Sequence, residues 1–211
     1  MMTDKDTRHK LNNEGSAIVT VLIVIIFISI LATTVLYLAG RNMKMKATDR
    51  YTKESFYQTE KTMEEIKAGL VRIASLSYDD AYKAVIAQYA GYNDSGRKNL
   101  FNVTFMNSFS NRYASLTSGC RDLATDASAV TSVGAYIPFD PDHPTSQFVI
   151  SGVEVKDVTN GYTTIIRTDF LIVCPDVFFD VGVDTSVPDA PAAGETININ
   201  DCVLYTNWEK R

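Results

Sequence analysis

Histidine is nearly missing from this chain of 211 residues: only His9 and His143 occur. A metal or triad site centred on imidazole therefore has too few parts. No two glycines stand two apart, so a dinucleotide fingerprint is excluded, and no phosphate-binding loop, GxSxG, HExxH or CxxC motif occurs either. Nothing nominates a nucleophile, a general base or a cofactor, and the chain reads as non-enzymatic. An excess of cations is also lacking. Against 25 Asp and Glu stand 20 Lys and Arg, for a net charge of −5, which argues against a sequence-independent grip on nucleic acid. Asp140, Asp142, Asp176, Asp180, Asp184 and Asp189 could supply hard oxygen donors, but they miss the spacing of a calcium loop, and no metal site is expected. Proline is absent before residue 138, so no ring interrupts a helix in the first two thirds of the chain.

What is present is a long apolar run. Residues 17–39, AIVTVLIVIIFISILATTVLYLA, carry no charged side chain. At about 1.5 Å per residue such a helix is about 34 Å long, enough to cross a bilayer core of about 30 Å. A removable secretory signal has an apolar stretch of about 7–15 residues and small residues before the cut. This run is longer, and Tyr37 spoils a cut after Ala39. Residues 1–15 set Lys5, Arg8 and Lys10 against Asp4, Asp6 and Glu14 and end in Glu14-Gly15-Ser16, where the apolar run begins.

A short polar leader, a glycine and an unbroken apolar helix resemble the class III signal of type IV pilins and pseudopilins. The resemblance covers about the first 75 residues. It implies that a membrane prepilin peptidase cuts after Gly15 on the cytoplasmic side, that the mature chain begins at Ser16 with an amino terminus open to methylation, and that the helix stays attached. It further implies other pilin-like subunits and a membrane platform protein as partners, the lipid bilayer as surroundings, and a head exposed at the cell surface. Two positions depart from the family. Its first mature residue is usually aromatic and its fifth a Glu, whereas Ser16 and Thr20 stand here. Thr20 cannot form the ion pair that the Glu makes with a neighbour's amino terminus, and this points to a minor subunit at a filament tip or in an initiating complex. Cation counting points the other way on orientation: Arg41, Lys44, Lys46, Arg50 and Lys53 follow the span against three cations before it, which alone favours a cytoplasmic body.

Past the span, Phe56, Met63, Ile66, Leu70 and Ile73 share one helical stripe. The expected organisation is a leader 1–15, a transmembrane helix 16–40, its amphipathic continuation 41–76 and a globular head 77–211. The alternative is an anchor and a separate amphipathic helix, broken near Gly40-Arg41. Ser77 with Asp80 reads as a capping box opening a short helix to about Ala90, closed by Gly91. A further helix is expected over Asn99–Leu116, with Phe101, Phe105, Phe109, Tyr113 and Leu116 on one face. From Ser132 the period turns to alternation. Asn160-Gly161 supplies the positive φ angles of a two-residue hairpin turn, so that Val155 should face Ile166, Glu154 Arg167, Val153 Thr168, Ser151 Phe170 and Val149 Ile172. A last strand is expected over 196–208. Helices followed by an antiparallel sheet give an α+β class. The neck, residues 41–75, carries +3 and the remainder, residues 76–211, −8. In an extracellular head Cys174 and Cys202 are the candidate disulfide, with Cys120 left over; three reduced thiols are the alternative.

Overall fold

The structure, a computed structural model, describes residues 6–177 and 198–211, with side chains from Gly15 onward. Two helices precede a four-stranded antiparallel sheet, an α+β arrangement. Helix α1 runs Asp6–Ala87 and helix α2 Asp94–Ala114. The strands are β1 Val130–Tyr136, β2 Gln147–Thr159, β3 Tyr162–Val173 and β4 Val203–Lys210, in the spatial order β1-β2-β3-β4. The chain divides into two compact units, Met1–Tyr51 and Thr52–Arg211.

In the first unit α1 has no helix break at Gly40-Arg41, where the two-helix alternative placed one. Every described side chain of this unit up to Arg50 is exposed. An all-round apolar surface of this kind is soluble only where water is absent.

In the second unit the apolar stripe of α1 is the spine of the core. Met63, Ile66 and Leu70 are fully buried and Ile73 nearly so, while Phe56 packs at the margin. From α2 come Phe101, Phe105, Phe109 and Tyr113, all buried. They stack along the helix and onto the sheet, with Phe101 and Phe105 6.3 Å apart and Phe109 meeting Phe148 edge-on at 5.4 Å. Fully buried Ile150, Val153, Val155, Ile166, Phe170 and Ile172 close the core from β2 and β3.

Three expectations are corrected. Ser77 does not start a helix. It is buried in the interior of α1, and its hydroxyl donates to the Ile73 carbonyl at 2.8 Å. Its supposed capping partner Asp80 is engaged instead by α2, accepting from Ser108 Oγ and Arg112 Nη2, each at 2.7 Å. The helix can pass Ser77 because the hydroxyl is satisfied by its own backbone. Helix α2 starts at Asp94 rather than Asn99, for the Asn93 side chain caps it by accepting from the Gly96 amide at 2.8 Å. The last strand starts at Val203, since Asn198 accepts from the Asn200 amide and turns Ile199–Cys202 into a 3₁₀ helix.

The hairpin follows the expected register from Thr159↔Tyr162 down to Val153↔Thr168, including Glu154↔Arg167. Asn160 and Gly161 have φ of 50° and 84°. Beyond Val153 a bulge at Ser151-Gly152 shifts the pairing, so Ile150 faces Phe170 and Val149 faces Leu171 in place of Ser151↔Phe170 and Val149↔Ile172. An unbulged strand would have aimed Ser151 and Val149 at the core. The extra residue aims Phe148 and Ile150 there instead, and leaves Val149 exposed. Gly152 takes φ of 77°, and its freed amide donates to Asp169 Oδ1 at 2.6 Å. The other carboxylate oxygen accepts from Asn207 Nδ2 of β4, also at 2.6 Å. One carboxylate thus ties the bulge of β2 to β4.

Replacing Asp169 with Ala leaves the half-buried Gly152 amide unpartnered and frees the exposed Asn207 to water, and is expected to cost the head about 1–2 kcal/mol, read by urea unfolding of the full chain in detergent with circular dichroism. A cost below about 0.5 kcal/mol would remove the carboxylate's bridging role. Asp80 yields a pH test. The hydrogen bonds from Arg112 and Ser108 hold its carboxyl below the usual range, so the folded state binds its proton less tightly than the unfolded one. The stabilisation is complete above about pH 4 and is lost as pH falls through the lowered value. Wild type should therefore exceed Asp80→Asn in melting temperature at pH 7, with the gap closing in acid. Because both partners are partly solvent-exposed, the gap is small.

Candidate processing site, anchor and head surface

Gly15 lies in helical backbone, and a Cβ added there would meet nothing within 4 Å. The junction with Ser16 is thus unencumbered by the rest of the chain. Thr20 donates its hydroxyl to the Ser16 carbonyl at 2.9 Å. Ser29 and Thr33 likewise donate to Ile25 and Ser29 carbonyls at 2.8 and 2.9 Å, and Thr34 to that of Ile30. Each serine and threonine hydroxyl in the apolar run is satisfied within its own helix, which is what a hydrocarbon environment requires. The helix is long and apolar enough to cross a membrane, and none of its apolar window is buried by the rest of the chain. At its end Tyr37 is stacked by the Arg41 guanidinium, 5.8 Å from the ring centroid.

Among the described residues, the head carries a groove of about 590 Å³ beside the end of β1 and the start of β2. Tyr136, Phe139, Phe148 and Val149 form its apolar walls, with Asp140 and His143 at the rim. His143 Nδ1 and Asp140 Oδ2 are 2.9 Å apart, and this hydrogen bond holds the Asp140 carboxyl below its usual range. Sequence reasoning passed over this groove, because its walls come together only through the bulge that turns Phe148 inward and leaves Val149 at the surface. The Ser-Gly step inside a strand was the available signal.

Among the described residues no cluster of three or more His, Cys, Asp or Glu is placed to hold a metal. Of the acids weighed for that role, Asp180, Asp184 and Asp189 lie outside the described residues, and Asp176 pairs with Lys98. All three cysteines are free thiols, so the candidate Cys174–Cys202 disulfide is not formed. Cys174 follows β3 and Cys202 precedes β4, next to the Ile172↔Val203 pair. Cys120 lies 3.3 Å from the Tyr113 hydroxyl in the core. Burial is the main cause that pushes the thiols up, to about 11 for Cys120, about 12 for Cys174 and about 11 for Cys202.

No family model, no curated protein and no solved structure matches this chain.

The thiols generate a measurement. A thiol near 11 is about 0.1% thiolate at pH 8, against about a quarter for an ordinary cysteine, and only the thiolate is nucleophilic. Native protein at pH 8 should therefore react with iodoacetamide at least about 100-fold more slowly than unfolded protein. Unfolding without reductant should then expose three reactive thiols by intact mass. A count of one would restore the pairing of Cys174 with Cys202.

Proposed function

We propose that this chain is a minor type IV pilin-like or pseudopilin-like subunit, a structural and non-enzymatic component of a surface filament. The single observation that carries the reading is the Gly15–Ser16 junction: a polar leader gives way there to an unbroken apolar helix, with nothing crowding the glycine. In this reading the prepilin peptidase removes residues 1–15, Ser16 becomes the mature terminus, and residues 16–40 hold the chain in the membrane with the head on the outer side. Assembly then proceeds through contacts with other pilin-like subunits and with the membrane platform protein of the machine.

The self-satisfied hydroxyl of Thr20 supports a position at the tip or in the initiating complex. A Glu buried among apolar helices demands a cationic partner, whereas a hydroxyl bonded to its own backbone demands none. A subunit of this kind adds no counter-charge for a neighbour's amino terminus, and so does not suit the repeating shaft.

A second reading, a single-pass protein with a binding head and no filament, draws on the groove bounded by Tyr136, Phe139 and Phe148, which has room for a drug-sized apolar group.

Replacing Gly15 with Val separates the two. A peptidase working at the membrane face needs close approach to the backbone, which a residue without a side chain permits. The substitution leaves the apolar span intact, and the Cβ it adds has open space around it. Wild-type protein extracted from cells with an active prepilin peptidase should begin at Ser16 by intact mass, and Gly15→Val should insert normally while keeping residues 1–15. A wild-type chain that retains its leader in those cells would sink the filament reading and leave the plain anchor.

A further inference from the structure

The stretch that follows the apolar run holds charge without internal compensation. Arg41, Lys44, Lys46 and Arg50 stand against one acid, Asp49, within ten residues, and all four cations are exposed. Among the described residues, no carboxylate pairs with any of them. Arg41 alone has a partner, the Tyr37 ring. In the second unit five cations do pair with carboxylates: Lys61 with Glu65, Arg97 with Asp94, Lys98 with Asp176, Arg112 with Asp80 and Arg211 with Glu209.

Their arrangement says what kind of anion they suit. At about 100° per residue, Arg41 and Lys44 fall on one side of the helix, and Lys46 and Arg50 on the other, about 170° away. A single neighbouring protein surface would be met by a stripe at spacings of three and four along one face. Cations on opposite sides instead suit an anion that surrounds the helix. Their depth agrees. Arg41 lies about 3 Å beyond Ala39 along the axis, inside a headgroup layer about 5–7.5 Å thick at each membrane face, and Lys44, about 7.5 Å beyond, lies at its outer edge. Lys46 reaches that layer by bending its stem back, and Arg50 stands within one Debye length of it. Met43 and Met45, both 74% exposed, lie among them and offer apolar side chains to the same boundary.

We propose that Arg41, Lys44, Lys46 and Arg50 form a collar that binds anionic phospholipid headgroups of the leaflet at the C-terminal end of the span. The proposal rests on the span alone and holds whether or not the leader is removed.

The test uses the full-length chain, with its leader, reconstituted in phosphatidylcholine bilayers doped with spin-labelled phosphatidylglycerol or spin-labelled phosphatidylcholine. The fraction of motionally restricted label reports lipid at the protein surface. Phosphatidylglycerol should be favoured about fivefold, the factor one juxtamembrane cation supplies, and the preference should fall towards one in about 1 M NaCl. The variant Arg41→Gln/Lys44→Gln/Lys46→Gln keeps the apolar run unchanged. It should stay inserted, as read by resistance to alkaline extraction, and lose the preference. Equal restriction of the two labels around wild type would overturn the collar, as would a preference that survives in the triple variant. Inorganic phosphate at matched ionic strength should displace no more phosphatidylglycerol than chloride does; stronger displacement would mark a free-anion site and overturn the lipid assignment. Loss of self-association in the triple variant without any lipid preference in wild type would assign the cations to a neighbouring copy's acidic head and overturn the proposal.

Discussion

Met63, Ile66, Leu70 and Ile73 present one apolar edge of α1 to everything else that folds in the second unit. Burying four such side chains is worth about 6–12 kcal/mol, as much as the whole net stability of an ordinary domain. Helix α2 lays its phenylalanines along this edge, and the inner face of the sheet closes over both. Tyr205 of β4 illustrates the dependence, since its hydroxyl donates to Glu64 Oε1 at 2.9 Å on the same helix, and its ring is capped by Lys67. Burial and the Glu64 carboxylate together push the phenol well above its usual range, so it stays a donor at any physiological pH. The last strand of the sheet is thereby fastened to the helix that began the core.

The same helix obeys a different rule in the first unit. There, apolar residues occupy every side of the run, and its serine and threonine hydroxyls turn inward onto their own carbonyls. A sequence that changes from all-round apolar to one-sided apolar within a single helix marks where its surroundings change from lipid to protein and water. Residues 41–50 fall at that change, neither apolar enough for one environment nor patterned for burial in the other, and they carry four exposed cations.

What could be read from the sequence was whatever is fixed locally. The stripe of α1, the aromatic ladder of α2 and the Asn160-Gly161 turn are set by neighbours within a few residues, so period and turn chemistry located them. The first half of the hairpin register follows from the turn alone. Its second half does not, because the Ser151-Gly152 bulge is held by Asp169, and Asp169 is held in turn by Asn207 from a strand more than thirty residues on. Ser77 misled for a related reason. A serine followed three residues later by an acid is a helix start only when the acid is free to turn back, and Asp80 was already claimed by Ser108 and Arg112. At the candidate site, Gly15, Ser16 and Thr20 could be singled out because the polar stretch and the apolar run are contiguous in sequence. The groove could not, since its walls meet only after the bulge has set which side chains face inward.

The orientation of the span pits two physical influences against each other. Counting cations within about 15–20 residues of each end gives three before the span and five after it, and acidic residues offset this little. Bilayer electrostatics alone would therefore keep the head on the cytoplasmic side. An outward head means that Arg41, Lys44, Lys46, Arg50 and Lys53 all cross the membrane with it, against the sign of that preference. Such an orientation has to be imposed by the machinery that recognises the leader. Once imposed, the cost of return works in its favour, for the same five cations and an acidic head must be carried back through hydrocarbon. In the proposed reading, removal of residues 1–15 would strip Lys5, Arg8 and Lys10 from the cytoplasmic end and leave one amino terminus there. In that orientation the charge that opposes insertion would also be the charge that holds the inserted helix at its outer boundary, and binding to anionic headgroups would fix that boundary close to Arg41.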